Sequence, residues 1–105
     1  MIPINKVEQL INTYKGLEKE LASGSLSNKD LVKKSKEYSN LGGIIKEAKE
    51  YVNFNKEKKE IEKIIDEKNN DKEMIQLAKN ELSQLLKQNQ ENEKKLKIFL
   101  LPKDE

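Results

Sequence analysis

Apolar residues recur along this chain at steps of three and four. Between residues 4 and 22 they are Ile4, Val7, Leu10, Ile11, Tyr14, Leu17 and Leu21. That spacing places one apolar stripe on a helix of period 3.6. Pro3 stands just before the stripe, where a proline is tolerated at a helix start. Ser23-Gly24-Ser25 ends it, with Gly24 suited to a left-handed C-terminal cap. The pattern predicts a first helix over 4–22.

A second segment opens at Ser27-Asn28-Lys29-Asp30. Either Ser27 or Asn28 can serve as the N-cap, and Ser27 with Asp30 three residues on resembles a capping box. The stripe continues through Leu31, Tyr38, Leu41, Ile45, Ala48 and Val52, and after a polar interval through Ile61, Ile64 and Ile65. This predicts one long helix over 28–68, about 60 Å at a rise of about 1.5 Å per residue. Gly42-Gly43 interrupts it. Each glycine costs about 0.5–1 kcal/mol relative to alanine inside a helix, so the pair marks a kink or a short break.

Asn69-Asn70-Asp71 reads as a turn, with Asp71 capping a third helix over 72–99 and Glu73 in its first turn. Its regular positions are Ile75, Ala78, Leu82, Leu85, Asn89, Asn92, Leu96 and Phe99. The strict alternation of three and four is a 3.5-residue repeat, the seam of a coiled coil. Two seam positions are asparagine, and Asn55 with neighbouring lysines is expected at the same height on the opposing helix. A polar seam residue fixes register at some cost in stability.

The short turn makes the second and third helices antiparallel. Counting back from it puts Phe99 near Leu41 and Leu96 near Ile44 or Ile45. The first helix, antiparallel to the second, is expected over Leu31 to Lys46. The expected fold is therefore all-α: a long antiparallel, coiled-coil-like helical hairpin, with a shorter N-terminal helix packed at its base. One domain spans 1–99, and 100–105 begins a linker.

Composition sharpens this picture. The 105 residues are 38% charged and 34% hydrophobic, too polar for a compact globule and suited either to disorder or to helices that each bury a narrow stripe. The periodicity selects the helices. Net charge is only +2, with the two signs interspersed, and every one of the 21 basic residues is lysine. The forked recognition that arginine provides is absent, while point-charge contacts to phosphates remain open. With no cysteine and no histidine, thiolate nucleophiles, imidazole bases and the common zinc sites are excluded. No apolar run reaches the about 20 residues that span a bilayer. The N-terminus resembles neither a signal nor a transit peptide. A cytoplasmic protein without membrane contact is expected.

The chain offers little that resembles catalytic chemistry. Glu57 with Glu60, and Glu91 with Glu93, fall on solvated helix faces. Gly42-Gly43 and Gly24 form no phosphate-cradling loop, because no Gly-Lys-Ser/Thr follows. Tyr14, Tyr38 and Tyr51 read as core or near-core residues rather than base-stacking ones. Lys33-Lys34, Lys58-Lys59 and Lys94-Lys95 read as solvated faces. No catalytic residue, cofactor or metal ligand is expected.

A family resemblance rests on ordered pieces. Leu10 through Leu17, with Tyr14, is similar to the first helix of the bacterial peptide chain release factors. Ser35-Lys36-Glu37-Tyr38-Ser39-Asn40-Leu41 resembles their Ser-Lys-Glu-Tyr-Ala-x-Leu stretch. Asp71-Lys72-Glu73-Met74, with Leu77-Ala78 and Glu81-Leu82, resembles the opening of their third helix. The ending Leu100-Leu101-Pro102-Lys103-Asp104 resembles the junction after the first domain of the UAA- and UAG-reading branch. This chain departs from the family pattern at Gly42-Gly43, where a nearby proline is frequent, and at Lys72, where proline is usual.

The resemblance implies the N-terminal domain of a termination factor. The family's Gly-Gly-Gln loop and Pro-x-Thr tripeptide do not occur here, so a chain cut at a domain boundary is expected. The implied partners are the ribosome, at the rRNA and protein of the large-subunit stalk base, the remaining domains of the same factor, and the recycling GTPase. Lys58, Lys59 and Lys63 are the candidate ribosome-facing residues, and a monomer is expected. The competing reading is a free-standing coiled-coil adaptor or chaperone-like arm.

Overall fold

The computed structural model describes residues 1–101, and these form four helices: α1 (Ile4–Ser23), α2 (Asn28–Gly42), α3 (Ile45–Asp66) and α4 (Lys72–Leu100). The molecule is elongated, 60 × 33 × 19 Å. The all-α hairpin architecture holds, with α3 and α4 as its long antiparallel pair and α1 packed against both α2 and α3.

Local chemistry sets the helix ends. Gly24, at φ 71°, forms the left-handed cap of α1, a conformation that glycine adopts without steric penalty. Ser27, not Asn28, caps α2, its hydroxyl accepting from the Asp30 N–H at 3.3 Å. Asp71 caps α4 by accepting from the Met74 N–H at 2.7 Å. Asn70 donates its side-chain amide to the Ile64 carbonyl at 2.9 Å, satisfying one of the free carbonyls at the end of α3.

The structure divides the expected 28–68 helix in two. Gly43 is right-handed, at φ −70° and ψ −16°; its N–H donates to the Asn40 carbonyl at 3.3 Å, and the Ile44 N–H donates to the Leu41 carbonyl at 3.0 Å. Ile44, at φ −124° and ψ −5°, leaves the helix in the sparsely populated bridge region. Gly24 is the only residue with positive φ among those described, so no left-handed glycine makes this break. The break puts the Ile44 side chain, 6% exposed, into the main core. There it joins Ile2, Val7, Ala48, Tyr51 and Leu96.

The break redirects α2. Among the described residues α2 packs on α1, barely meets α3 and does not approach α4. The expected Phe99–Leu41 neighbourhood is therefore replaced: Phe99 packs on the core around Ile44, while Leu41 is buried outside that cluster. The pairing of Leu96 with Ile44 is present in the core. The reach of α1 also differs from the expected Leu31–Lys46, because its N-terminal half lies over α3 as far as Asn53. Ile2, ahead of any helix, is buried as well. Its N–H donates to the Tyr51 hydroxyl at 3.2 Å, and that hydroxyl in turn approaches the Ile2 carbonyl at 3.4 Å. A buried tyrosine hydroxyl needs such a partner.

The seam of α4 matches its heptad reading residue by residue. All eight positions from Ile75 to Phe99 are buried or half-buried, and every other α4 residue except Glu93 is exposed. Its polar middle is arranged differently from expectation. Asn55 points to solvent. Glu50, Phe54 and Glu57 instead face Leu85, Gln88, Asn89 and Asn92 across a cleft of about 250 Å³. The Asn92 side-chain oxygen accepts from Gln88 at 3.0 Å, whereas Asn89 Oδ1 is buried without a partner.

Two stability outcomes follow. An alanine Cβ at Gly42 would sit 3.8 Å from the Tyr14 ring, ordinary contact on a helical backbone. Gly42→Ala should therefore stabilise the fold by about 0.5–1 kcal/mol. Chemical denaturation checks this, and a loss of stability would show that the break requires glycine at 42. Asn89→Leu removes an unpaired buried acceptor from the polar middle of the seam and adds apolar surface beside Phe54 and Leu85, and should stabilise by about 1 kcal/mol. A lower denaturation midpoint for that variant would mean that the Asn89 oxygen has a partner in solution.

Candidate functional site

The described residues bring no nucleophile, base and acid together, and they contain no group of three or more histidine, cysteine or acidic residues placed to hold a metal. No described helix is long and apolar enough to cross a membrane. What the fold organises is surface: a tyrosine-pinned hairpin, an N-terminal clasp and exposed lysines.

Ser35, Lys36 and Glu37 are exposed on α2, while Tyr38 is half-buried. Tyr38 stacks on Tyr14 with ring centroids 4.5 Å apart and planes 15° from parallel. Stacking at this separation adds to simple area burial. The Tyr38 hydroxyl also donates to Glu18 at 3.4 Å. Its pKa is pushed up to about 12, first by the adjoining Tyr14 hydroxyl, then by desolvation and by the Glu18 charge. Tyr38 therefore stays a neutral donor throughout the physiological range, and it ties α2 to α1. Lys34 and Glu20 add an ion pair across the same two helices.

Leu100 closes α4, and Leu101 caps it by donating its N–H to the Ile98 carbonyl at 3.3 Å. Pro102, Lys103 and Asp104 lie outside the described residues. Of the acidic pairs, Glu57, Glu60 and Glu91 are exposed. Glu93 accepts from the Met1 ammonium at 3.2 Å and from Lys97 at 3.0 Å. Its carboxyl is held below the usual range, chiefly by the Lys97 hydrogen bond and next by the one from the N-terminus.

The three candidate lysines do not share one face. Lys59 and Lys63 are exposed, four residues apart on one side of α3. Lys58 is half-buried, four residues after Phe54 and so on the sector of α3 that faces α4. Lys56 is exposed, three residues before Lys59 and seven before Lys63, so it replaces Lys58 in the exposed set. Sequence reasoning also missed Lys15 and Lys49. They meet across a groove of about 370 Å³ between α1 and α3, lined further by Glu8, Ile11, Asn12, Val52 and Asn53. Nothing in the local pattern pairs these residues, because their meeting depends on how α1 lies over α3.

The model of the PCRF domain matches residues 10–105. Peptide chain release factor 1 of Pelagibacter ubique is 48% identical over 105 residues, the whole of this chain and 29% of that protein. The factor of the same name from Agathobacter rectalis is 39% identical over 102 residues, 95% of this chain and 28% of its own length. That of Erythrobacter litoralis is 32% identical over 103 residues, 98% of this chain and 28% of its own length. The chain thus spans under a third of the length of these curated relatives. No solved structure matches it.

The Glu93 cluster carries a pH signature. A carboxyl with a lowered folded-state pKa adds stability that is fully present above its unfolded pKa and is lost as pH falls through the folded value. Glu93→Gln should therefore melt below the parent at neutral pH, with the two melting temperatures converging on acidification. A gap that stays constant with pH would remove the ionic contribution.

Proposed function

The chain belongs to the PCRF domain family, and from that premise we propose that it is the N-terminal domain of a cytoplasmic translation termination factor directing release at UAA and UAG codons. The observation that carries this reading is the 48% identity to a peptide chain release factor 1 over all 105 residues. The domain would span residues 1–99, with the linker starting at 100. Codon reading and hydrolysis belong to other parts of the factor, since neither Gly-Gly-Gln nor Pro-x-Thr occurs in this chain.

The domain's share of the work is contact, not chemistry. Its partners are the rRNA and protein of the large-subunit stalk base, the remaining domains of its own factor, and the recycling GTPase. It acts as a monomer. Lys56, Lys59 and Lys63 support the ribosomal part of this reading: all three are exposed, and none is ion-paired among the described residues. Lysine attracts phosphate as a point charge without demanding a particular base.

In the longer factor carrying this domain, Lys59→Glu with Lys63→Glu should weaken ribosome binding about tenfold at low salt, the deficit shrinking as salt screens it. Unchanged affinity would remove this face from the contact. The same factor should release peptide from ribosomes stalled at UAA and UAG. Release at UGA, or no release at all, would overturn the codon assignment.

A further inference from the structure

We infer that the groove between α1 and α3 seats the sugar-phosphate strand of an RNA helix. The inference rests on the ribosomal reading above and adds a second site to it, with the chemistry of the partner. The groove holds about 370 Å³, with half-buried Ile11 and Val52 at its floor and exposed Lys15, Lys49, Asn12 and Asn53 around it. Neither lysine is ion-paired among the described residues, so both ammonium groups are free to meet an external anion. Each asparagine amide supplies two donors and an acceptor. That set suits non-bridging phosphate oxygens and also the ribose 2′-hydroxyl, which distinguishes RNA from DNA.

The lining also says what the groove does not hold. Its apolar lining is limited to half-buried Ile11 and Val52, a small floor for a peptide partner beside exposed polar side chains. No aromatic ring lines it, so bases have nothing to stack on, and the contact reads backbone rather than sequence.

The charge continues along α3. Lys56 and Lys63 follow Lys49 at intervals of seven residues, and all three are exposed. A seven-residue step nearly repeats the helical face and advances about 10 Å along it, so the three lysines fall on one sector of α3, which exposed Glu60 shares between Lys56 and Lys63. Glu8 is the one acidic residue in the lining, and it opposes an anion in that position. Its removal is therefore the sharpest probe of the occupant's charge.

The test is fluorescence anisotropy of the 105-residue chain on a short RNA duplex, and on the DNA duplex of the same sequence, across a salt series. Circular dichroism confirms that each variant is folded. Lys15→Gln with Lys49→Gln should weaken RNA binding about tenfold at low salt and lower the log–log salt slope by about 1.5–2. Lys33→Gln with Lys94→Gln makes the same change of charge elsewhere and should stay within about twofold of the parent. Glu8→Gln should tighten binding about twofold to threefold, and RNA should bind more tightly than DNA. Equal losses from the two lysine pairs would mean bulk charge, and weaker binding by Glu8→Gln would mean the wrong ligand sign. Displacement of RNA by an acidic peptide at equal affinity would assign the groove to a protein partner. Each of these overturns the inference.

Ribosome binding separates this failure from that of the broader reading. If the longer factor binds ribosomes equally well with and without the Lys15 and Lys49 changes, the groove assignment falls and the ribosomal reading stands. If the parent binds neither RNA nor ribosomes, both fall.

Discussion

The fold depends on one knot of side chains. Val7 of α1, Ala48 of α3 and Leu96 of α4 are fully buried, with Ile44 and Tyr51 alongside them. Ala48 is the small member of this cluster, and a small side chain on α3 lets larger neighbours pack closely against it. Elsewhere each helix buries only a narrow stripe, which is what a chain with 34% hydrophobic residues permits. Losing Leu96 or Val7 would therefore affect the placement of all three helices, not just one contact.

The knot explains the break between α2 and α3. A continuous helix through residue 44 would keep α2 running along α4. Instead Ile44 leaves helical geometry and its side chain enters the core, burying apolar area at about 25 cal/mol per Å². The two preceding glycines, intrinsically poor helix residues, make that departure inexpensive. Freed from α4, α2 folds back on α1, where Tyr14 and Tyr38 stack. α3 is left with two partners. Phe54 lies toward α4, and Val52 lies toward α1.

This division accounts for how much was legible in the sequence. The seam of α4 could be read position by position because a 3.5-residue repeat against one partner is a local property. The caps at Ser27 and Asp71 and the left-handed Gly24 were legible for the same reason. The break was visible only as a weak point. Glycine content marks where a helix is easily interrupted, while the burial of Ile44, a tertiary effect, decides that it is. Phe54 escaped notice because a helix with two buried faces has no single stripe. Ile2 escaped because no periodicity extends ahead of a helix. Of the three lysines grouped by adjacency, Lys59 and Lys63 are exposed and Lys58 is half-buried. Neighbours on a helix point about 100° apart, so adjacent lysines seldom share a face. The Lys15–Lys49 groove had no sequence signal, because it exists only once α1 lies across α3.

The polar middle of the seam gives the hairpin two unequal parts. On one side is the knot. On the other, Ala78 of α4 is buried and Leu82 of α4 and Ile61 and Ile65 of α3 are half-buried, which makes this an apolar stretch of the hairpin. Between them lie Gln88, Asn89 and Asn92, facing Glu50 and Glu57. An all-apolar seam would bind more strongly and would also tolerate sliding by a heptad. Amides at two consecutive seam positions penalise every register that sets them against the apolar stretch. The arrangement gives up stability in exchange for a defined reach of the arm and a defined place for each lysine on it. Point-like lysine charges have no orienting power of their own, so their placement on this surface is defined by the backbone that carries them.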